Sequence, residues 1–157
     1  MKSILVLGAG RSCSTLIKRL LDRSEACGWK VVVGDIDLSV AQQKVSGHER
    51  GEAFQLSALD NIERDKRIGE ADLVMSMVPA FLHASVAKVA IAAGVPVITP
   101  SYLSDEMKSL DEAAKEAGVL VLNEIGLDPG IDHMSAMKVI DEIKSEGGVM
   151  KGFESYC

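Results

Sequence analysis

Ser3-Ile4-Leu5-Val6-Leu7-Gly8-Ala9-Gly10-Arg11-Ser12-Cys13 is the stretch that decides the fold of this chain. A short apolar run ends in Gly-Ala-Gly and passes into a segment where Leu16, Ile17, Leu20 and Leu21 share one helical face. Strand, tight turn and helix start bring backbone N–H groups and a helix N-terminus up to a phosphate. Gly8 permits the turn, and Gly10 lets a pyrophosphate approach the backbone. The third glycine position of such a turn is held by Cys13, read here as a packing residue. Gly8, Gly10, Arg11, Ser12 and Cys13 are the candidate ligand-contacting residues. Arg11 either reaches the adenine or a phosphate, or is an exposed first-turn residue. The motif is incomplete, so the rest of the chain has to decide its meaning.

Similar apolar, β-branched runs recur at 31–33, 53–56, 73–78, 95–99 and 119–122. They are short and continuous, as strands buried on both faces are. Helical spacing lies between them, for example Leu103, Met107, Leu110 and Ala114. Gly28, Gly51, Gly69, Gly94 and Gly118 sit where helix C-caps belong. Ser104, followed by Asp105 and Glu106, reads as an N-cap with an acidic first turn. This alternation predicts an α/β protein: a Rossmann-type, doubly wound parallel sheet of six strands. After residue 122 comes a polar turn-rich segment, then a helix with Met134, Met137, Ile140 and Ile143 turned inward. Gly147-Gly148 breaks that helix, and 149–157 reads as a further strand.

Ligands of such sheets bind at the carboxyl ends of the strands. Asp35 ends the second run, where a carboxylate accepts hydrogen bonds from the ribose hydroxyls, with Ile36 beside it. An acid there repels a 2′-phosphate, and Ile36-Asp37-Leu38 brings no arginine. The expected cofactor is therefore NAD, with NADP disfavoured. Asp37 competes for the same role but reads better as a helix N-cap. Ser57 and Ala58 follow the third run, and Val78 and Pro79 the fourth. His83 opens the next helix and reads as structural or near the cofactor. Ser101-Tyr102 and the Asp128 segment follow the last two runs and reach the nicotinamide end.

The chain's 157 residues suffice for one domain with a sizeable core. A net charge of −6 argues against a general nucleic-acid or anionic-membrane surface. No apolar run approaches the ~18 residues of a membrane span, and the apolar start is too short for a secretory leader. The cysteines Cys13, Cys27 and Cys157 form no CxxC pair. Neither disulfides nor a metal site is expected, and the location expected is cytoplasmic.

Ser101-Tyr102-Leu103-Ser104, the block from Asn123 to Met134 (NEIGLDPGIDHM) and Phe153-Glu154-Ser155-Tyr156-Cys157 resemble the saccharopine dehydrogenase family, in its glutamate-forming branch. The likeness runs through the whole chain and includes His83. It implies a dinucleotide-binding domain over 1–128. It also implies that 129–157 lead into a substrate and dimerisation domain largely missing here, and that a full-length form can be a homodimer. The family oxidises the secondary amine of saccharopine with NAD(P), giving L-glutamate and 2-aminoadipate semialdehyde. Its substrate contacts fall on Ser101, Tyr102, Leu127, Asp128, Pro129 and Cys157. Of these, Asp128 would take the amine proton, Tyr102 would orient the substrate, and Cys157 would contact the reacting carbon or act through its thiol.

Read from the residues alone, Asp128-Pro129-Gly130 is also a good turn, and Asp132-His133 is either an acid–base pair or a cap with its neighbour. Pro100 and Ser57 depart from the family pattern, which has a small residue and often an aspartate there. Two alternatives stay open: a carboxynorspermidine-type reductase, and a non-catalytic nucleotide-binding or interaction module. The chain by itself is expected to bind nucleotide without turning over substrate.

Overall fold

The structure, a computed structural model, describes residues 1–56 and 61–156. The chain opens with β1 (Lys2–Leu7), a 3-10 turn (Arg11–Cys13), α1 (Ser14–Cys27), β2 (Trp29–Asp35), α2 (Leu38–Val45) and β3 (Gly51–Gln55). Next come α3 (Ile62–Gly69), β4 (Leu73–Ser76), a second 3-10 turn (Ala80–Leu82), α4 (His83–Ala92) and β5 (Val97–Ile98). The last elements are α5 (Asp105–Lys108), α6 (Asp111–Ala117), β6 (Val121–Leu122) and α7 (Ile131–Ser145). The six strands form one sheet in the order β3-β2-β1-β4-β5-β6, and every pairing is parallel. This is the doubly wound Rossmann-type sheet expected. The strand order reverses between β1 and β4, which opens the ligand crevice of such folds.

The two-residue period of a strand explains why β1 and β2 read as unbroken apolar runs. Ile4, Val6, Val31 and Val33 face α1 and α2, meeting Ile17, Leu21, Ala41 and Val45. Leu5, Leu7 and Val32 face the other way, into a core with Ile68, Val74, Val86, Ala87, Val97 and Met107. Both faces of the sheet are thus closed.

The helix ends follow local chemistry. Ser104 accepts the Met107 amide through Oγ at 3.2 Å, as expected of an N-cap. Asp37 caps α2, its Oδ1 taking the Ser39 amide at 2.9 Å. Gly28 and Gly118 close α1 and α6 in the left-handed conformation. Two expected glycine caps are not caps. Gly51 opens β3, and α2 ends instead on left-handed Ser46; Gly69 is the last helical residue of α3, which ends on Glu70. The segment around Leu103 to Ala114 divides into α5 and α6, yet Met107 and Ala114 still point inward.

Two expectations beyond residue 122 fail. Residues 149–156 form no strand, because none of the described strands pairs with them. Helix α7 buries none of its residues, and Met134 and Met137 are exposed rather than core. Other helices already cover both faces of the sheet, so α7 has no apolar face left to cover.

Gly8 follows β1 where the chain passes the end of β4 with no room for a side chain. Its φ is +100°, and a Cβ there would lie 2.6 Å from the Met77 carbonyl oxygen just beyond β4. Gly8→Ala combines left-handed strain with a backbone clash. It should cost about 2 kcal/mol or more of stability by urea unfolding of the full-length gene product.

Candidate functional site

At the glycine turn the two glycines serve different purposes. The Gly8 amide donates to the Gly34 carbonyl at 2.7 Å, so this residue is spent on holding β1 between β2 and β4. At Gly10, with φ −59°, a Cβ would meet nothing within 4 Å. The protein itself does not require glycine there; the absent side chain leaves open space against the backbone. The amides of Gly10, Arg11 and Ser12 have no acceptor among the described residues. Three undirected donors at the start of α1, under a clear approach, fit a pyrophosphate.

The other cofactor candidates divide. Arg11 and Ser12 are exposed beside this space. Cys13 is only 2% exposed and packs in the core with Ile17 and Ala9, so its side chain does not face the ligand space. Burial pushes its thiol up, against the opposing pull of Lys44. It is the packing residue expected and is corrected as a cofactor contact. Ile36 is exposed past the end of β2, Val78 is half-buried and Pro79 is exposed past β4. Ser57 and Ala58 lie outside the described residues, as does Cys157.

Asp35 is the main surprise. Its Oδ2 accepts the Ala9 amide at 2.7 Å and its Oδ1 accepts the Asp37 amide at 3.0 Å. The carboxylate braces the glycine turn from β2, so its oxygens already have internal donors. Each oxygen keeps a further lone pair, so the bracing carboxylate can still accept from a ribose hydroxyl.

On the other side of the crevice the sequence candidates converge. The Tyr102 hydroxyl donates to Asp128 Oδ1 at 2.5 Å, joining the loop after β5 to the loop after β6. Those loops are tied further: Glu124 donates its amide to the Ser101 carbonyl at 3.1 Å, and its Oε1 accepts the Leu103 amide at 3.1 Å. Gly126 lies against Pro100, where a Cβ would meet the ring at 3.0 Å, so Pro100 supports the Asp128 loop. Gly126 also donates to the Pro129 carbonyl at 2.9 Å, closing the loop on itself. The Asp128–Pro129 peptide bond is cis. Pro129 is buried, while Leu127 and Tyr102 are exposed.

Asp132 and His133 come within 4.8 Å of Asp128 by their ligating atoms. Asp132 Oδ1 is already shared by the Gly130 amide at 3.0 Å and His133 Nδ1 at 2.8 Å. Burial alone pushes the Asp132 carboxyl up, but hydrogen bonds from His133 and the Gly130 amide outweigh it and leave the group below its usual range. Asp132 therefore caps α7 and also pairs with His133, combining both readings.

Sequence reasoning left the bonding of His83 unassigned. Its Nδ1 meets Ser76 Oγ and its Nε2 meets Ser101 Oγ, each at 2.8 Å. The available signal was positional: strands β4 and β5 are neighbours, so serines just at or past their ends flank the first residue of α4.

Comparison with known proteins agrees with this geometry. Residues 4–122 match the family model "Saccharopine dehydrogenase NADP binding domain", and residues 126–157 match "Saccharopine dehydrogenase C-terminal domain". The NADP(+)-dependent, L-glutamate-forming saccharopine dehydrogenase of Pyricularia oryzae is 42% identical over 156 residues, which are 99% of this chain and 34% of that protein. The alpha-aminoadipic semialdehyde synthase of Arabidopsis thaliana is 37% identical over 171 positions, covering 98% of this chain and 16% of that protein. The solved saccharopine dehydrogenase (L-Glu forming) of Saccharomyces cerevisiae superposes with a TM-score of 0.81 at 35% identity, covering 94% of this chain and 32% of that one. The chain spans about a third of the length of its fungal relatives. These findings overturn the expectation of NAD over NADP: the matching domain is described as NADP-binding, and the fungal relatives are NADP(+) enzymes. That expectation had rested on Asp35 and on the lack of an arginine in Ile36-Asp37-Leu38.

Gly10→Ala should leave the urea midpoint unchanged yet weaken reduced-dinucleotide binding at least tenfold in a fluorescence titration, the reverse of the Gly8 pattern. A second expectation concerns pH. Burial pushes the His83 imidazole below its ordinary value of 6.5. Below pH 6.5 the unfolded chain takes up a proton that the folded chain still refuses, so stability falls with pH from 6.5 down to the folded-state pKa. His83→Gln should flatten that part of a stability–pH profile.

Proposed function

Because the chain belongs to the saccharopine dehydrogenase family, we propose that it supplies the NADP-binding site and one wall of the substrate site of an oxidoreductase acting on saccharopine. The observation that carries the reading is the Tyr102–Asp128 pair at the carboxyl ends of β5 and β6, on the same edge of the sheet as the open turn at Gly10.

The nucleotide would rest its pyrophosphate on the amides of Gly10, Arg11 and Ser12. Exposed Arg11 is the cation nearest this turn in sequence and the candidate partner for a phosphate. When bound, the oxidised nicotinamide accepts a hydride. This chain's residues do the rest of the work on their side of the cleft. Asp128 accepts a proton from the substrate's secondary amine, whose loss lets the carbon–nitrogen bond become an imine. The Tyr102 hydroxyl, donating to the same carboxylate, orients Asp128 and offers a second polar contact. Water adding to the imine carbon gives a carbinolamine, and cleavage of its carbon–nitrogen bond releases L-glutamate and 2-aminoadipate semialdehyde. Leu127 and Pro129 shape the wall around these groups.

The test is an assay of the full-length gene product with saccharopine and NADP+, following the absorbance of the reduced nicotinamide. Turnover is expected, with Asp128→Asn lowering kcat by about 10²-fold or more and Tyr102→Phe by about tenfold. An enzyme that ignores saccharopine but binds NADPH would sink this reading and favour a different amine substrate or a binding role.

A further inference from the structure

We propose that His83 is a positioning residue: its imidazole clamps the substrate loop at Ser101 to the carboxyl end of β4 and thereby sets where Tyr102 and Asp128 stand relative to the cofactor. The inference rests on the reaction proposed above, and it assigns to that reaction a residue that makes no contact with substrate.

The argument begins with what the sheet fails to do. The ladder between β4 and β5 comprises Val74↔Val97 and Met75↔Ile98 only. Strand β5 ends there, so 99–102 run past β4 without ladder bonds to hold them. Thr99 and the Ser101 carbonyl are tied outward, to Leu122 and to Glu124 beyond β6. Nothing in those bonds fixes the loop's distance from β4, which the nicotinamide would approach.

His83 supplies the missing tie. It is 3% exposed, whereas His48 and His133 are exposed. Ser76, the last residue of β4, is fully buried and meets Nδ1 at 2.8 Å, while Nε2 meets Ser101 at 2.8 Å. A neutral imidazole has one donor and one acceptor nitrogen, and a hydroxyl can play either part. Either tautomer therefore satisfies the chain Ser76–His83–Ser101 with no orphaned polar atom. Its outer end is the residue before Tyr102, which in turn bonds Asp128 at 2.5 Å. The span from the cofactor strand to the proposed proton acceptor is thus bridged by fixed hydrogen bonds. An apolar residue could fill the same core position, but it would leave Ser76 and Ser101 unpaired and the loop unanchored. Small displacements of a reacting group cost rate while ground-state binding elsewhere stays intact.

The experiment uses the full-length gene product and separates positioning from general damage. His83→Ala should lower kcat by about tenfold or more while NADPH affinity stays within about twofold of wild type. His83→Gln, whose amide can still reach the Ser101 hydroxyl, should recover most of the loss. Ser76→Ala added to His83→Ala should reduce kcat no further, since both break one connection. Should His83→Ala not fold, Ser76→Ala alone takes its place, with the same split expected between kcat and cofactor affinity. Unchanged kcat in a folded variant, or NADPH affinity falling in step with kcat, overturns the proposal. If the wild type does not turn over saccharopine, the reaction reading is what fails. The clamp is then judged by NMR: Ser101→Ala must shift the ¹⁵N resonance of His83 Nε2, and His83→Ala, or Ser76→Ala in its place, must shift the Tyr102 ring signals. Silence in either overturns it.

Discussion

The approach of the Gly8 backbone to the Met77 carbonyl is the constraint on which the site depends. Strands β1 and β4 are neighbours at the point where the winding direction reverses, and their ends must pass each other without a side chain between them. Once they do, the chain leaving β1 turns sharply, and α1 starts with its amides facing the crevice. The Asp35 carboxylate then holds the turn from the β2 side through the Ala9 amide. Two apolar cores, one on each face of the sheet, make this arrangement stiff.

The candidates of the glycine turn, β2, β4, β5 and β6 among the described residues sit at the carboxyl edge of the sheet, but each strand contributes differently. β1 offers backbone donors and open space. β2 contributes a brace. β4 and β5 are joined through an imidazole, and β5 and β6 through a phenol and a carboxylate. Short strands favour this division of labour. β5 and β6 have two residues each, so the chain leaves the ladder early and its side chains take over the bonding.

The fold was legible because it is written in periodicity. Short, β-branched apolar runs such as Ile4 to Leu7, bounded by glycine and alternating with helical spacing, read as strands covered on both sides, and the helices between them call for parallel pairing. Asp37 and Ser104 were legible as caps because their chemistry is local. Following strand ends put Tyr102 and Asp128 at one end of the sheet, and family likeness gave them roles, but the bond between them was not foreseen, since residues far apart in sequence meet only once β5 and β6 are paired. Asp35 misled for the same reason. Its position at a strand end was plain, but its partner Ala9 lies in the turn after β1, and no local pattern reveals which amides a carboxylate will bind. Helix α7 misled differently: Met134 and Met137 do share a helical face, yet periodicity says only that a face exists, not that something in the chain covers it.

That uncovered helix bears on how the Asp128 loop keeps its shape. A helix of this length without tertiary contacts is marginal in water, because a few hydrogen bonds per turn barely outweigh the cost of nucleation. Helix–coil equilibrium in α7 would therefore pass disorder back into any loop that relied on it. The loop is held from both sides: Gly126 is closed onto Pro129 and set against Pro100, and the first turn of α7 reaches back to it through the Ile131 amide at 3.0 Å. Fraying from the far end of α7 therefore reaches the loop last. Within this chain, amide hydrogens towards the far end of α7 can then exchange with solvent before those of its first turn do, while the carboxylate at Asp128 keeps its place.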